Sequence, residues 1–485
     1  MRPGGENGGV KPEHSHLTSQ ARAHIEAVRA YYERGIRLTR AARSYRDILA
    51  AYYNLFIPAS ASVLEVGCGA GDLLSRMKVA SKWGVDVSEN QARLAKEKNP
   101  GARFFVQAGE ELDLPEMAFD YIIVSETVNL AADVQRIFER LKRVSHPGTR
   151  LILNFYSSLW RPVIWLGTLA GLRNRQPESN WLSREDVSGL LHLTGWELIR
   201  HEPRIVCPVK LFGFEQLLNR FVAPLAPALC LCVFTMARPA ADQSPKGKTV
   251  SIVIPVRNEA GNIQAAVERT PEMGIWTELI FVEGLSKDNT WEEIQRVKRA
   301  YPQKCIKILQ QSGKGKGNAV RDGFAAAEGE LLMILDADLT MPPEELPKFY
   351  AAVVSGRCDF ANGSRLIYPM DEKAMRFLNL CANKIFSILF SWLLGQPVKD
   401  TLCGTKVLTK QSYESIAANR SYFGEFDPFG DFDLLFGASK LNLKILDIPI
   451  RYKERVYGET NIQRWKHGWL LLQMVLFAAT KLKFV

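Results

Sequence analysis

The sequence has no stretch of about 18 or more consecutive apolar residues, so no segment is expected to span a bilayer. It has no CxxC pair and no histidine tract. Its eight cysteines (68, 207, 230, 232, 305, 358, 381 and 403) are scattered, which argues against a disulfide scaffold or structural zinc and suits a reducing cytosol. Residues 1–20 are polar and Gly-rich, without an apolar h-region, and read as a disordered tail and not a signal peptide. What is present is ordinary globular material. Of 485 residues 47 % are hydrophobic and 24 % charged, which excludes wholesale disorder and a polytopic membrane protein and leaves room for two or three domains. The net charge of +10 favours a polyanion or an anionic membrane surface as partner. The basic residues are not interleaved with aromatics as in RNA-binding motifs, so no nucleic acid is expected.

Composition changes at 239–248 (PAADQSPKGK), a linker between two halves that each open with a short apolar strand and a polar turn. In both halves strand-length apolar runs alternate with helical periodicity, the pattern of two doubly wound α/β domains with mainly parallel sheets. Ligands in such sheets sit at the carboxyl ends of strands, so the turns after strands carry the functional reading. Three apolar segments, 159–172, 385–395 and 468–480, fit either buried core helices or an interfacial role.

In the first half SVLEVGCGAGD (62–72) is a strand, a glycine-rich turn and a helix start. WGVDVSE (83–89) is a second strand ending in Asp86, an acid placed to accept both hydroxyls of a ribose. FFVQAGEELDLP (104–115), FDYIIVSE (119–126) and LKRVSHPGTRLILNFY (141–156) supply three further strands. This order resembles class I S-adenosylmethionine-dependent methyltransferases, over about residues 45–238 of a domain placed at 21–238. The resemblance implies that Glu65, Gly67, Cys68, Gly69 and Gly71 hold the methionine end of S-adenosylmethionine, and Asp86 and Val87 its ribose. Glu110 is expected near the adenine, where the acid common in the family is replaced by Ala108. Glu126 lies either where an acceptor enters or as a structural acid, and His146 sits in an SHPG turn with no expected catalytic role.

In the second half VSIVIPVRNEAGNI (250–263) and LIFVEGLSKDNTWEEI (279–294) are strands that run into polar turns, with Thr290 placed to cap a helix. QQSGKGKGNAVRDGF (310–324) is a basic glycine loop ahead of a helix. In GELLMILDADLTMPPEEL (329–346), five apolar residues lead into Asp336 and Asp338. Two carboxylates ending a buried strand repel, and Mg²⁺ or Mn²⁺ between them is the simplest relief. These motifs resemble glycosyltransferase family 2, of GT-A fold, over about 249–460. The resemblance implies a nucleoside diphosphate-sugar donor met by Pro255, Asn258, Glu259, Glu283, Lys316 and Asp336, with Asp336 and Asp338 at the metal. A second acid beside Glu283 is replaced by Gly284, so the choice of uracil or guanine stays open.

NGSRL (362–366), VKDTLCGTKVLTK (398–410) and IPIRYKERVYGETNI (448–462) are similar to polyprenyl- and dolichyl-phosphate sugar synthases. That likeness implies that Arg365 and Arg455 meet phosphates, whose oxygens suit guanidinium forks. A polyprenyl-phosphate acceptor arrives ionised, whereas a glycan hydroxyl acceptor needs a base, for which Asp431 or Asp433 is expected. Residues 461–485 read as a basic amphipathic helix, with Lys466, Lys481 and Lys483 facing anionic headgroups. The whole reads as a bifunctional methyl- and sugar-transferase of bacterial cell-surface glycan synthesis, cytoplasmic and peripheral at the inner face of the plasma membrane; the alternative is a glycosyltransferase acting on a soluble or glycan hydroxyl, its first half a non-catalytic S-adenosylmethionine-binding sensor or docking domain.

Overall fold

The computed structural model describes residues 17–485, except 36–38, 115–116, 172–175, 178–179, 241–246, 366–376, 423–431, 454, 456 and 458–463, and omits the side chains of 40, 377–382 and 464–468. The chain folds as two compact units, residues 1–51 with 59–195 and residues 52–58 with 196–485. Both are α/β, as expected.

The first sheet has the order β3-β2-β1-β4-β5-β7-β6. Its strands are β1 (Ser62–Val66), β2 (Ser81–Asp86), β3 (Arg103–Val106), β4 (Phe119–Ser125), β5 (Ser145–Tyr156), β6 (Trp196–Arg204) and β7 (Cys232–Pro239). β1 pairs in parallel with both β2 and β4, and its apolar run is buried on both faces, as a central parallel strand requires. Being central and parallel, it delivers its following turn to one end of the sheet. Two helices precede it, Ser19–Glu33, capped by the Thr18 hydroxyl on Ala21 N at 3.1 Å, and Arg40–Phe56. β6 and β7 form an antiparallel hairpin.

The second sheet has the order β10-β9-β8-β11-β13-β12-β14. Its strands are β8 (Val250–Val256), β9 (Thr277–Glu283), β10 (Cys305–Gln310), β11 (Leu331–Ile334), β12 (Phe360–Ser364), β13 (Lys406–Thr409) and β14 (Ile445–Pro449). β8 pairs in parallel with β9 and β11, so their carboxyl ends and turns share an edge, while β13 runs antiparallel to β11 and β12. After β9 the helix Thr290–Ala300 has Asn289 at its N-cap, and Asp288 Oδ1 accepts from Thr290 N at 3.2 Å. Thr290 is thus the first helical residue and not the cap expected.

The C-terminal helix Arg464–Leu482 is built into this unit. Leu471, Met474, Val475, Ala478 and Ala479 are buried in a core shared with the helix Phe377–Leu394. Lys483 does not face solvent or headgroups: it is buried, with Nζ 2.6 Å from Glu202 Oε1. The reason is electrostatic. Glu202 and Arg204 on β6 are both buried, and Arg204 already donates to the carbonyls of Lys483 (2.6 Å) and Leu482 (2.8 Å), drawing the chain end inward. Lys481 lies over the Tyr422 ring at 5.4 Å, and Trp469 stays exposed.

Burial alone would raise the Glu202 carboxyl, but Lys483, Arg204 and Arg200 hold it down at about 2. Its stabilisation is therefore complete above the ordinary value of 4.5 and is lost as pH falls from there through about 2. Glu202→Gln leaves buried cations unpaired and should cost about 3–5 kcal/mol in urea unfolding at neutral pH. The variant should also lack the part of the acid destabilisation that the wild type shows in that window.

Candidate functional site

In the first unit the turn after β1 needs its glycines. Gly67, Gly69 and Gly71 adopt positive φ (76°, 51° and 69°), and a Cβ on Gly67 would overlap the Thr127 hydroxyl. Asp86, ending β2, is buried and accepts from Gly69 N at 2.7 Å and Ser88 N at 3.0 Å, so it braces the turn while keeping lone pairs for a ligand. Burial raises its carboxyl above the usual range against these two hydrogen bonds. Gly67, Gly69, Asp86, Val87 and Glu110 all line one cavity of about 120 Å³. Cys68 is buried beside the turn, and burial pushes its thiol well up, so it is no nucleophile.

Glu110 Oε1 accepts from Ala132 N at 2.8 Å and Ala132 lies at the entry to the helix Val134–Lys142, so one carboxylate oxygen is committed to backbone. Glu65 is fully buried on β1, and neither oxygen has a hydrogen-bond partner among the described residues. Burial pushes it up to about 8, opposed by Arg46. On the cavity wall the Asp86 carboxylate and Glu126 Oε1, which has no hydrogen-bond partner among the described residues, stand beside a glycine cradle where nothing lies closer to an added Cβ on Gly69 than Gln91 Oε1 at 4.0 Å, and fit a cationic ligand such as S-adenosylmethionine.

The sequence reading missed the contribution of the N-terminal helices, which bring Tyr32 and Arg46 to the same cavity. Glu126 and Tyr156 face it from the ends of β4 and β5. Glu126 holds φ 59°, a strained conformation for a residue with a side chain, and its Oε1 is buried without a partner among the described residues. His146 belongs to the opposite end of β5, where Nδ1 accepts from Gly148 N at 3.0 Å, and it does not line the cavity.

In the second unit the turns after β8 and β9 interlock. Asn258, at φ 56°, donates its backbone N–H to the Ser286 hydroxyl at 3.0 Å and accepts from Lys287 N at 2.7 Å. Glu259 N donates to the Thr290 hydroxyl at 3.1 Å, and Glu283 Oε1 accepts from Ser286 N at 2.5 Å. Pro255 lies one residue before the end of β8. The glycine loop places Lys316 at the first turn of the helix Lys316–Ala326, with Nζ 2.7 Å from Asp336 Oδ1. A Cβ on Gly404 would overlap both of these side chains, which is why that position is bare.

Asp338 Oδ1 accepts from the Thr340 hydroxyl at 2.8 Å, and its Oδ2 from Arg455 at 2.6 Å. The same guanidinium reaches Glu259 Oε1 at 2.9 Å, spanning the turns after β8 and β11. Each aspartate of the pair thus has its own side-chain cation. Among the described residues no three His, Cys, Asp or Glu side chains converge on a metal position. Asp336 and Asp338 would supply oxygen ligands of the kind a hard divalent ion takes, in exchange for their contacts with Lys316 and Arg455.

Arg365 donates to Asp400 through Nε (2.7 Å) and Nη2 (2.9 Å) and lies 5.2 Å from the Tyr452 ring. Burial opposes ionisation of Asp336, yet Lys316, Lys406 and Arg365 together keep its carboxyl below the usual range. Asp433 stands in the first turn of the helix Phe432–Lys440, 3.1 Å from Arg420, while Asp431 lies outside the described residues.

Residues 64–153 match the family model described as a methyltransferase domain, and residues 251–415 match glycosyl transferase family 2. The two matched stretches follow one another in that order along the chain. It is 29 % identical over 221 residues to a dolichol-phosphate mannosyltransferase of Pyrococcus furiosus, covering 44 % of this chain and 59 % of the relative. It is 29 % identical over 236 residues to the low-salt glycan biosynthesis hexosyltransferase Agl6 of Haloferax volcanii, covering 48 % and 54 %. It therefore spans less than two thirds of the length of either relative. Among solved structures, a glucosyl-3-phosphoglycerate synthase of Mycobacterium tuberculosis aligns at 19 % identity and TM-score 0.37, over 50 % of this chain and 82 % of that one. A methyltransferase of Thermotoga maritima aligns at 18 % identity and TM-score 0.32, over 40 % and 89 %.

Because folded Glu65 holds its proton up to about 8 while the unfolded chain releases it near 4.5, the first unit should lose stability as pH rises between these values. Glu65→Gln keeps the shape without the titration and should flatten that fall, by a few kcal/mol at about 1.4 kcal/mol per unit. Urea midpoints measured at several pH values, for wild type and variant, check it.

Proposed function

We propose that the chain is a bifunctional transferase. In this reading the first unit moves a methyl group from S-adenosylmethionine, and the second moves a sugar from a nucleoside diphosphate-sugar to a polyprenyl phosphate. The observation that carries the second activity is the Arg455 guanidinium set between Glu259 and Asp338, with Lys316 on Asp336 beside it. This brings two cations, each shared with carboxylates, to the strand ends where the nucleotide turn and the acid pair meet, from which they can turn to the oxygens of a diphosphate or a phosphate acceptor.

Asp336 and Asp338 would hold a divalent ion, Mg²⁺ or Mn²⁺, which would supply charge neutralisation for the leaving diphosphate. Lys316 faces the same oxygens from its helix N-terminus, and the Asn258–Glu259 and Glu283–Ser286 turns cradle the nucleoside. A phosphate acceptor is already an anion, so no strong base is required. The name of the Pyrococcus relative, a dolichol-phosphate mannosyltransferase, supports a lipid-phosphate acceptor. A glycan hydroxyl acceptor is the second reading, consistent with the hexosyltransferase relative, and needs Asp431 or Asp433 as base. The ion pair of Asp433 with Arg420 counts against that aspartate, since a paired carboxylate is a weak base.

In the first unit S-adenosylmethionine supplies an electrophilic methyl, so the chain need only orient a nucleophile. Glu65 and Asp86 bind its ends in this reading. Glu126 and Tyr156, which line the cavity, are the candidates for orienting the acceptor in this reading. The setting is bacterial or archaeal-type surface glycan synthesis at the inner face of a membrane.

Asp338→Ala should abolish sugar transfer and leave S-adenosylmethionine affinity unchanged. Transfer assayed with saturating Mn²⁺ tests it, and an unchanged rate removes the acid pair from the metal. Asp86→Ala should weaken S-adenosylmethionine binding by about 1–3 kcal/mol by calorimetry, the range for a lost charged hydrogen-bond partner.

A further inference from the structure

Between β6 and β7 the chain makes a helical excursion whose polarity is inverted. Phe214–Leu217, a wide turn Leu218–Val222 and Ala223–Leu225 form one continuous helical stretch. Phe214, Leu217, Phe221 and Leu225, spaced three and four apart, make one stripe, and all four are exposed. Glu215, Asn219 and Ala223, also four apart, make the opposite stripe, and all three are buried. A surface helix of a globular protein does the reverse.

The inward polar groups are fully used. Glu215 Oε2 accepts from Leu211 N at 2.7 Å and Gly213 N at 3.0 Å. Asn219 Oδ1 accepts from Val206 N and Cys207 N at 2.8 Å, and its Nδ2 donates to Cys207 O at 2.8 Å. Glu215 thereby fixes the tip that holds Phe212 outward at φ 53°, with its side chain fully exposed. The apolar face is presented by a built loop and is not left over from a poor core.

The face also continues within the unit. Trp392 donates to Pro224 O at 3.0 Å, and its ring lies 5.8 Å from Phe484, which in turn is 5.7 Å from Phe221. From Trp392 the same helix face runs to Ile388 and Ile385, both exposed. The charges are one-sided. Lys210, Arg220 and Lys384 are exposed beside the stripe, whereas residues 205–231 contain one acid, the inward Glu215, and residues 377–394 contain none.

We propose that this inverted stripe, led by Phe212 and flanked by Lys210, Arg220 and Lys384, seats the second unit on an anionic lipid bilayer surface. Apolar side chains outward, cations at the rim and no outward acid are what the headgroup–acyl boundary of such a bilayer accepts. The proposal deepens the lipid-acceptor reading and rests on it only for the presence of a membrane-borne substrate. It moves the membrane contact from the C-terminal lysines, of which Lys483 is buried, to the β6–β7 excursion.

The test is co-sedimentation of the full chain with vesicles of equimolar phosphatidylcholine and phosphatidylglycerol, without donor or acceptor. The wild type should pellet with these vesicles and not with pure phosphatidylcholine. Phe212→Ser/Leu217→Ser should lower the partition coefficient about tenfold or more, the scale of losing two large apolar anchors. Lys210→Glu/Arg220→Glu should abolish the preference for the anionic vesicles. Both variants should keep the wild-type thermal melt and the wild-type hydrolysis of a nucleotide-sugar in solution. A wild type that stays in the supernatant overturns the proposal. So does a serine variant that pellets unchanged, or a wild type that dimerises through this face in sedimentation velocity while the variant stays monomeric. Vesicle binding without any donor turnover would sink the sugar-transfer reading and leave this one standing.

Discussion

Both candidate sites follow from one constraint: a carboxylate buried at the end of a parallel strand must be given partners, because its desolvation is not otherwise offset. In the first unit Asp86 takes the amides of Gly69 and Ser88, and so shapes the glycine turn it closes. In the second, Glu283 takes Ser286 N, Asp336 takes Lys316, and Asp338 takes Thr340 and Arg455. Asp86 to Gly69, Asp336 to Lys316 and Asp338 to Arg455 join the end of one strand to another segment, while the Ser88, Ser286 and Thr340 contacts close each strand's own turn. The turns are positioned by the same groups that give the sites their charge. Glu65 is the exception, a fully buried carboxyl with no hydrogen-bond partner among the described residues.

Local order made much of this legible. The strands β1, β2, β8, β9 and β11 are short, mainly apolar runs; β2 and β9 end in Asp86 and Glu283, the others run into glycine or polar turns, and runs and turns are contiguous in sequence. The residues that the motifs named at these turns do stand at strand ends in the structure. What stayed hidden depends on partners far apart in the chain. Arg46 and Tyr32 reach the first cavity from helices that precede β1, and no spacing rule links them to it. Glu202 and Lys483 are 281 positions apart, so the lysine reads from sequence as a free basic tail residue. The motifs singled out Arg365 and Arg455, but not their carboxylate partners Asp400, Glu259 and Asp338, which come from loops elsewhere in the chain. The β6–β7 excursion escaped for another reason. Its period is helical, but nothing in a 3.6-residue pattern says which stripe faces the core. Only the side-chain bonds of Glu215 and Asn219 decide that.

The two units meet the same constraint with different electrostatic results. Around the first cavity Asp86, Glu110 and Glu126 face the cation Arg46, an excess of acid. At the second set of turns Lys316, Lys406, Arg365 and Arg455 stand against Asp336, Asp338, Asp400 and Glu259, so cations and carboxylates are matched in number. In a low-dielectric setting an unmatched carboxylate is costly alone and favourable beside a cation, whereas matched pairs must exchange partners before they admit another charge. The first arrangement is therefore poised for positive charge as it stands. The second can take up an ion only by loosening contacts that hold its own turns in place.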